Sequence, residues 1–323
     1  MKHLLLSLLH FLLLSSASCI FAFTPPDPLY LWWEQNVDWY TYSHHSEYIT
    51  MSSDKMGPNA LPVPNMRNGS IDTVSYIALG GTYHHYTPDP TQNITLYVNY
   101  PVIKNFISVD LDFLIQEFYN SKITQASHDL KTERNVFHEH YYDKNAVGDV
   151  NFQVNFQFSQ QEKAGVDFMG TVSYRFASSA NVSAARFIDA PGYFFSLSLG
   201  KKLIQKEDYY LKMISNVGFL VYQTNDEQHS QNDAFYYAGG VEANYKGWRL
   251  TNSIEGYYGY FGNGDRPLLF RSSVRKNWDK LVTSLRFQTG VQDFRYNSFE
   301  LVFGYKLDFL PSFKIEKIKS VKK

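Results

Sequence analysis

The sequence predicts an all-β chain: an antiparallel transmembrane β-barrel of about 12 strands behind an N-terminal signal peptide. Three observations predict it. From about residue 72 to residue 309 the dominant hydropathic period is two, the period of a strand with one apolar and one polar face. The connections between these runs alternate between short and long, which a soluble sandwich has no reason to show. Aromatic residues reach 17% and charged residues only 19%, yet the mean hydropathy of -0.33 is too polar for a bundle of membrane helices. With 44% hydrophobic residues and a net charge of -1 the chain has enough to bury to exclude intrinsic disorder. A pI near 6.8 gives no bulk attraction to nucleic acid, so no nucleic-acid partner is expected.

Residues 1–22 have the layout of a secretory signal: Lys2, an apolar stretch from Leu4 to Leu14, then Ser15, Ser16, Ala17 and Ser18. The alternative, a retained anchor, would need a longer apolar core. Cys19 is the single cysteine, so no intramolecular disulfide can form, which suits a bacterial exported protein. Ser16-Ala17-Ser18-Cys19 resembles a lipobox with Ser16 where leucine is usual, so lipidation of Cys19 stands beside ordinary cleavage near residue 22. The sequons at Asn68, Asn93 and Asn181 would matter only in a eukaryotic pathway. Residues 23–71 do not alternate and carry Pro25, Pro26, Pro28, Pro58, Pro62 and Pro64, which fits either a periplasmic lead or a lumen plug.

Twelve alternating runs then fall near 73–86, 92–103, 105–119, 147–159, 164–177, 193–204, 209–223, 234–246, 248–260, 267–276, 280–292 and 296–309. Each is long enough to span when tilted. In 147–159, Val150, Phe152, Val154, Phe156 and Phe158 oppose Asn151, Gln153, Asn155, Gln157 and Ser159. In the last run Phe299, Leu301, Phe303 and Tyr305 oppose Ser298, Glu300, Gly304 and Lys306. Phe152, Phe156, Phe287, Leu301 and Phe303 are therefore expected against lipid, and Gln157 in the lumen, where arginine should be tolerated. Trp248, Tyr258, Tyr260 and Tyr305 sit near run ends, as an interfacial aromatic girdle requires. Short turns at 160–163, 246–247 and 276–279 lie on the expected periplasmic side with both termini, and long connections at 120–146 and 178–192 on the other. Residues 72–309 form the expected barrel and 310–323 a basic tail.

Gly304-Tyr305-Lys306-Leu307-Asp308-Phe309 resembles the terminal strand signal of Gram-negative outer-membrane β-barrel proteins, although Leu310 to Lys323 follow it. That resemblance implies outer-membrane location, contact with outer-membrane lipid and recognition by the barrel-insertion machinery. Val147-Gly148-Asp149-Val150, with the stretch from Gly239 to Asp265, is similar to barrels associated with uptake of aromatic compounds and phenol-degradation operons. It implies a porin-like or transporter-like role.

The inward faces carry Asp110, Asp112, Asp167, Glu242, Glu255 and Glu300 together with Arg175, Arg249, Arg271, Arg275, Arg286 and Lys306. Charges inside a closed barrel must meet water or one another. They predict a wet, charge-lined channel for small solutes, or alternatively a closed structural barrel filled with salt bridges. Arg249, Arg271, Arg275 and Arg286 are expected on the wall opposite the acids Asp110, Asp112 and Asp167, which would set a transverse field. His84, His85, His138 and His140 are candidate metal ligands on neighbouring outer connections, although His-x-His on a loop is a weak spacing. A lipase-like or protease-like enzyme is a further alternative, with Ser127 and His128, or Asp143 near His140, as loose candidates, but no frame sets a nucleophile beside a base. Gly262-Asn263-Gly264-Asp265 reads as a turn and not a phosphate loop, and no motif implies a cofactor.

Overall fold

The computed structural model describes residues 49–119, 124–134, 145–179, 185–188, 190–223, 231–307 and 313. The signal segment with Cys19, the residues up to Tyr48, and His138, His140 and Asp143 lie outside them, as does the tail apart from Phe313. Twelve long strands form one closed antiparallel barrel: β1 (Tyr76–His85), β2 (Thr91–Ile103), β3 (Ile107–Tyr119), β5 (Val150–Ser159), β6 (Asp167–Phe176), β7 (Gly192–Gln205), β8 (Tyr209–Gln223), β9 (Gln231–Tyr245), β10 (Trp248–Tyr258), β11 (Leu268–Asn277), β12 (Leu281–Gln292) and β13 (Asn297–Lys306). A two-residue strand, β4 (Asn145–Ala146), lies beside β3. Each neighbour in sequence pairs with the next, and β1 pairs with β13 from Tyr76↔Lys306 to His85↔Asn297, so no strand edge is left open. Each run read from the sequence coincides with one long strand.

The outward face is apolar. Leu79, Leu197, Leu199, Val217, Phe235, Leu285, Phe299, Leu301 and Phe303 are all exposed, a belt that only hydrocarbon would cover without cost. Trp248, Tyr258, Tyr260 and Tyr305 are exposed toward its margins. Trp248 and Trp278 meet edge to face at 5.9 Å with Lys276 Nζ over both rings, the pattern of an amphipathic interface. Among the described residues no helix is long and apolar enough to cross a membrane. Phe303 is 61% exposed in mid-strand, so Phe303→Arg is expected to cost about 2–4 kcal/mol in urea-driven unfolding from lipid. A neutral result would place this face against something other than lipid.

The two ends differ. Connections 104–106, 160–166, 206–208, 246–247 and 278–280 are short, and both the entry to β1 and the exit from β13 lie at that end. Lys246 and Gly247 take φ of 48° and 77°, the two left-handed positions of a tight hairpin turn. The opposite end bears 86–90, 120–149, 177–191, 224–230, 259–267 and 293–296. The longest of these is not plain loop: it contains α1 (Gln125–Glu133), while α2 (Gln161–Ala164) occupies a short turn and stops at Gly165, φ 76°. Inside the barrel, residues 49–75 run from the loop end, where Asp54 N donates to Gly264 O at 3.1 Å, to the short-turn end, where Leu307 N donates to Ser75 O at 2.8 Å. The loop half of the interior is a packed core: Met51, Met56, Leu61 and Val63 of this segment bury against Phe194, Tyr222, Tyr236, Tyr257 and Tyr296. A barrel of twelve strands leaves more interior than its own side chains fill, and this segment takes up part of the difference.

Candidate functional site

The lumen holds a cavity of about 850 Å³ reaching from Asn105, Gln160 and Lys202 at the short-turn end to His84, Asn93 and Phe294 near the loops. Strand alternation aims the polar side chains into it. Eleven of the twelve charged residues expected inside line this cavity: Asp110, Asp112, Asp167, Arg175, Glu242, Arg249, Glu255, Arg271, Arg275, Arg286 and Glu300. Lys306 does not. It stands at the last position of β13, and its Nζ donates to the Trp278 carbonyl of the neighbouring turn.

Most of these charges are paired. Arg286 meets Glu300 at 2.9 Å, Lys212 meets Asp167 at 2.7 Å, and Arg271 bonds Glu255. Arg175 bonds Asp149, whose second oxygen accepts the amides of Ser178 and Ser179 at 3.1 and 3.0 Å. That gives the Gly148-Asp149 pair a structural role. Gly148 has no room for a Cβ beside Leu114, and Asp149 fixes the loop and the arginine together. Arg249 lies 3.9 Å from Glu242, and two further partners come from the luminal segment. Its Arg67 pairs with Asp110 at 2.8 Å, and its Asp72 with Arg275 at 2.7 Å. At these two positions the segment carries a cation to the acidic residue and an anion to the basic one. The Asp112 side chain lines the same cavity.

Gln157 corrects another expectation. It is 4% exposed and holds the luminal segment twice, accepting from Ile71 N at 2.9 Å and donating to Gly69 O at 2.8 Å. Arginine would not fit there without displacing the segment. Gly69 takes φ 82°, and its neighbour across the gap is Gly200 of β7, where a Cβ would collide with the Asn68 carbonyl and the Lys212 side chain. The segment thus approaches the wall through a pair of glycines. Gly200→Val is expected to cost about 1–3 kcal/mol through overpacking and to raise protease access to residues 64–72. Unchanged access would mean that the segment does not rest on β7.

The loop end carries a buried charge cluster absent from the sequence reading. A β-bulge in β3 opposite Ile94/Thr95 shifts the alternation, so that Asp110, Asp112 and Leu114 face inward before it and Glu117 and Tyr119 after it. Glu117 is fully buried and accepts from Arg186 Nε at 2.5 Å, while Arg186 Nη1 reaches Asp89 at 2.5 Å and Nη2 reaches Thr91 at 2.8 Å. Arg134, which follows α1, adds 2.9 Å contacts to Asp89 and to Tyr296 Oη. Burial opposes ionisation of Asp89, but Arg186 and Arg134 together hold its carboxyl below the usual range. Asn59 of the luminal segment bonds Glu117 as well, tying segment, wall and loops into one closure. At the rim Arg295 grips Asp54 with two bonds of 2.8 and 2.7 Å and Glu133 with a third of 2.7 Å, which holds both carboxyls below their usual values. The Gly262 to Asp265 turn joins them: Gly264 O accepts from the hydroxyls of Ser52 and Ser53, and Asn263 donates to Met51 O at 3.1 Å. One warning of the bulge was present in the sequence, since simple alternation would have put Glu117 against lipid. Asp89, Arg134 and Arg186 lie in connections, where no periodicity marks them.

Of the metal and enzyme candidates, the described residues place the side chains of His84, His85 and Ser127. His84 and His85 end β1 on opposite faces: His84 is buried against Ser298 at 2.7 Å and Asn93 at 2.8 Å, and His85 is exposed beside Tyr83. They cannot share a metal. Among the described residues no group of three His, Cys, Asp or Glu side chains is placed to hold one. Ser127 serves the start of α1, its N–H donating to Thr124 Oγ1 at 3.1 Å and its hydroxyl accepting from Thr124 N at 2.8 Å, a reciprocal cap. The His128 side chain lies outside the described residues.

No protein family matches the sequence, and neither does any curated protein. Solved structures with a similar architecture do exist. The NanC porin matches 72% of this chain and 100% of its own at 12% identity, TM-score 0.47. The COG4313 outer membrane channel from Pseudomonas putida F1 matches 76% and 99% at 11% identity, TM-score 0.47. The KdgM porin in complex with disordered oligogalacturonate matches 71% and 98% at 8% identity, TM-score 0.43.

Proposed function

We propose that this chain is a bacterial outer-membrane channel for small polar solutes, closed at rest by its own luminal segment. The observation that carries the reading is the pairing of Arg67 with Asp110 and Asp72 with Arg275: wall charges that a permanently closed barrel could satisfy among themselves are satisfied by a stretch outside the β wall. A charge-lined cavity lies beside that stretch, as a solute path requires. On this reading residues 1–22 direct export, the apolar belt meets outer-membrane lipid, the insertion machinery recognises the last strand, and the loop end faces outside. Planar-bilayer recording tests it. The full chain should conduct little, and a chain lacking residues 49–71 should show stepwise current. Silence from both would favour the salt-bridged structural barrel, which the Arg286–Glu300 and Lys212–Asp167 pairs also suit.

Arg271 gives a finer test in the full chain. It bonds Glu255 on the wall and donates to Val63 O at 2.8 Å and Pro64 O at 3.1 Å in the segment. Arg271→Ser is expected to increase open time and move selectivity toward cations, because it frees Glu255 and loosens the segment together. Unaltered current and ion preference would count against a segment that closes the pore.

A further inference from the structure

The contacts between wall and segment follow a pattern that simple filling would not require. Along residues 59–71 the wall bonds mainly the backbone of the segment, through side chains of several strands. Arg175 donates to Ala60 O at 2.5 Å and Asn59 O at 3.4 Å. Tyr257 donates to Leu61 O at 3.2 Å and Tyr222 to Pro62 O at 2.5 Å, and Arg271 follows on Val63 O and Pro64 O. Farther in, Glu255 accepts from Met66 N at 2.9 Å. Asn216 brackets Arg67, accepting from its N–H at 2.8 Å and donating to its carbonyl at 2.7 Å. Gln157 closes the row on Gly69 O and Ile71 N. From Leu61 to Val74 the segment makes no backbone-to-backbone hydrogen bond with any described residue, so it is a stretch outside helix and sheet whose backbone is read by side chains.

Two features make this row a site and not only a seam. Its charged members are held in place by the wall itself, Arg175 by Asp149 and Arg271 by Glu255, so their aim does not depend on the occupant. The donors facing Leu61 and Pro62 are the hydroxyls of Tyr257 and Tyr222, whose rings lie 6.3 Å apart in the same buried cluster as Leu61 and Val63. Aromatic rings whose hydroxyls bond carbonyls suit proline-rich extended chains, which lose little entropy on binding. We infer that the inner wall is a binding track for extended, proline-containing peptides, and that residues 58–71 are its built-in occupant. This rests on the channel reading only in so far as such a peptide would also be the solute class; the track itself stands on the bonds above. A free peptide must compete with a tethered one at high effective concentration, so the resting chain is closed to it until the segment is loosened.

The test uses the full chain in lipid with two readouts. In the first, backbone amide exchange is followed at Met66, Arg67 and Ile71. Asn216→Leu should speed exchange at Arg67, and Gln157→Leu at Ile71, by about tenfold, the effect of losing one buried hydrogen bond. Trimming the segment by Asn65→Ser with Met66→Ala should leave Arg67 and Ile71 protected. If the trimmed chain loses protection as fully as the wall variants, side chains hold the segment and the track is refuted. In the second, Arg67→Ser with Arg295→Ser removes ion pairs peculiar to this occupant while sparing the track, and a synthetic peptide of residues 58–71 is added to the conducting variant. It should block the current, and the same peptide N-methylated at Met66, Arg67 and Ile71 should not. Equal block by both peptides, or none by either, overturns the inference. A double variant with no current at all would count against the channel reading, leaving amide exchange to decide the track.

Discussion

Arg186→Ala is expected to destabilise the loop end by about 3–5 kcal/mol, the cost of breaking a buried ion pair from one side. Arg186 is 1% exposed, and its guanidinium is the common partner of Glu117, Asp89 and Thr91. Its removal leaves a fully buried carboxylate without its cation, and Asn59 alone cannot replace the fork. The wall strands have their own ladders, so the loss should appear first as local opening: proteolysis within 177–191 and frequent current steps, ahead of any change in strand content. Arg186→Lys should recover only part, because a single ammonium cannot make the two separate carboxylate contacts. If Arg186→Ala behaves like the parent in both assays, the cluster is not what closes the mouth. Gly57 provides an independent check on the same contact, since a Cβ there would press on the Arg186 guanidinium.

The strands were legible because lipid and lumen impose opposite chemistry on alternate residues. In β5 that alternation runs unbroken from Phe152 to Gln157, and in β13 from Phe299 to Tyr305. The charged lumen residues were legible for the same reason: parity aims Arg271, Arg275 and Glu255 inward whatever their partners. Parity says nothing about pairing. The partners of Asp110 and Arg275 come from Arg67 and Asp72, in a stretch with no period, and the sequence left open whether that stretch was a lead or a plug. It also fails where the ladder slips. The bulge in β3 brings Glu117 inside, and the connections that fold inward to meet it contribute Asp89, Arg134 and Arg186 from three separate places. Gln157 shows the limit most plainly, since the face was read correctly and the consequence was not. A lumen position tolerates substitution only where water, and not a chain segment, lies opposite.

Acidification should open the same mouth, with a sign that follows from the rim carboxylates. Asp54 and Glu133 are held below their usual values first by hydrogen bonds from Arg295, and Asp89, despite burial, by Arg186 and Arg134. A carboxylate whose folded pKa lies below its unfolded one contributes stability that is fully present above the unfolded value. That contribution is lost as pH falls through the folded value. The unfolded values are about 4, so the closure is expected to be intact from neutrality down to about pH 5 and to weaken progressively below about pH 4. Raising the pH from 5 to 8 should change nothing through these groups. Single-channel recording across this range, with the loop side acidified alone, should show rare openings at pH 7 and frequent ones near pH 3. Asp54→Asn isolates the rim: it keeps the size of the side chain, loses the charge that Arg295 grips, and should open more often at pH 7 with a smaller further response to acid. Because Arg295 also holds Glu133, part of the response should survive in that variant and vanish in Arg295→Ser. Opening centred between pH 5 and 8 would instead assign the closure to a group other than these three carboxylates.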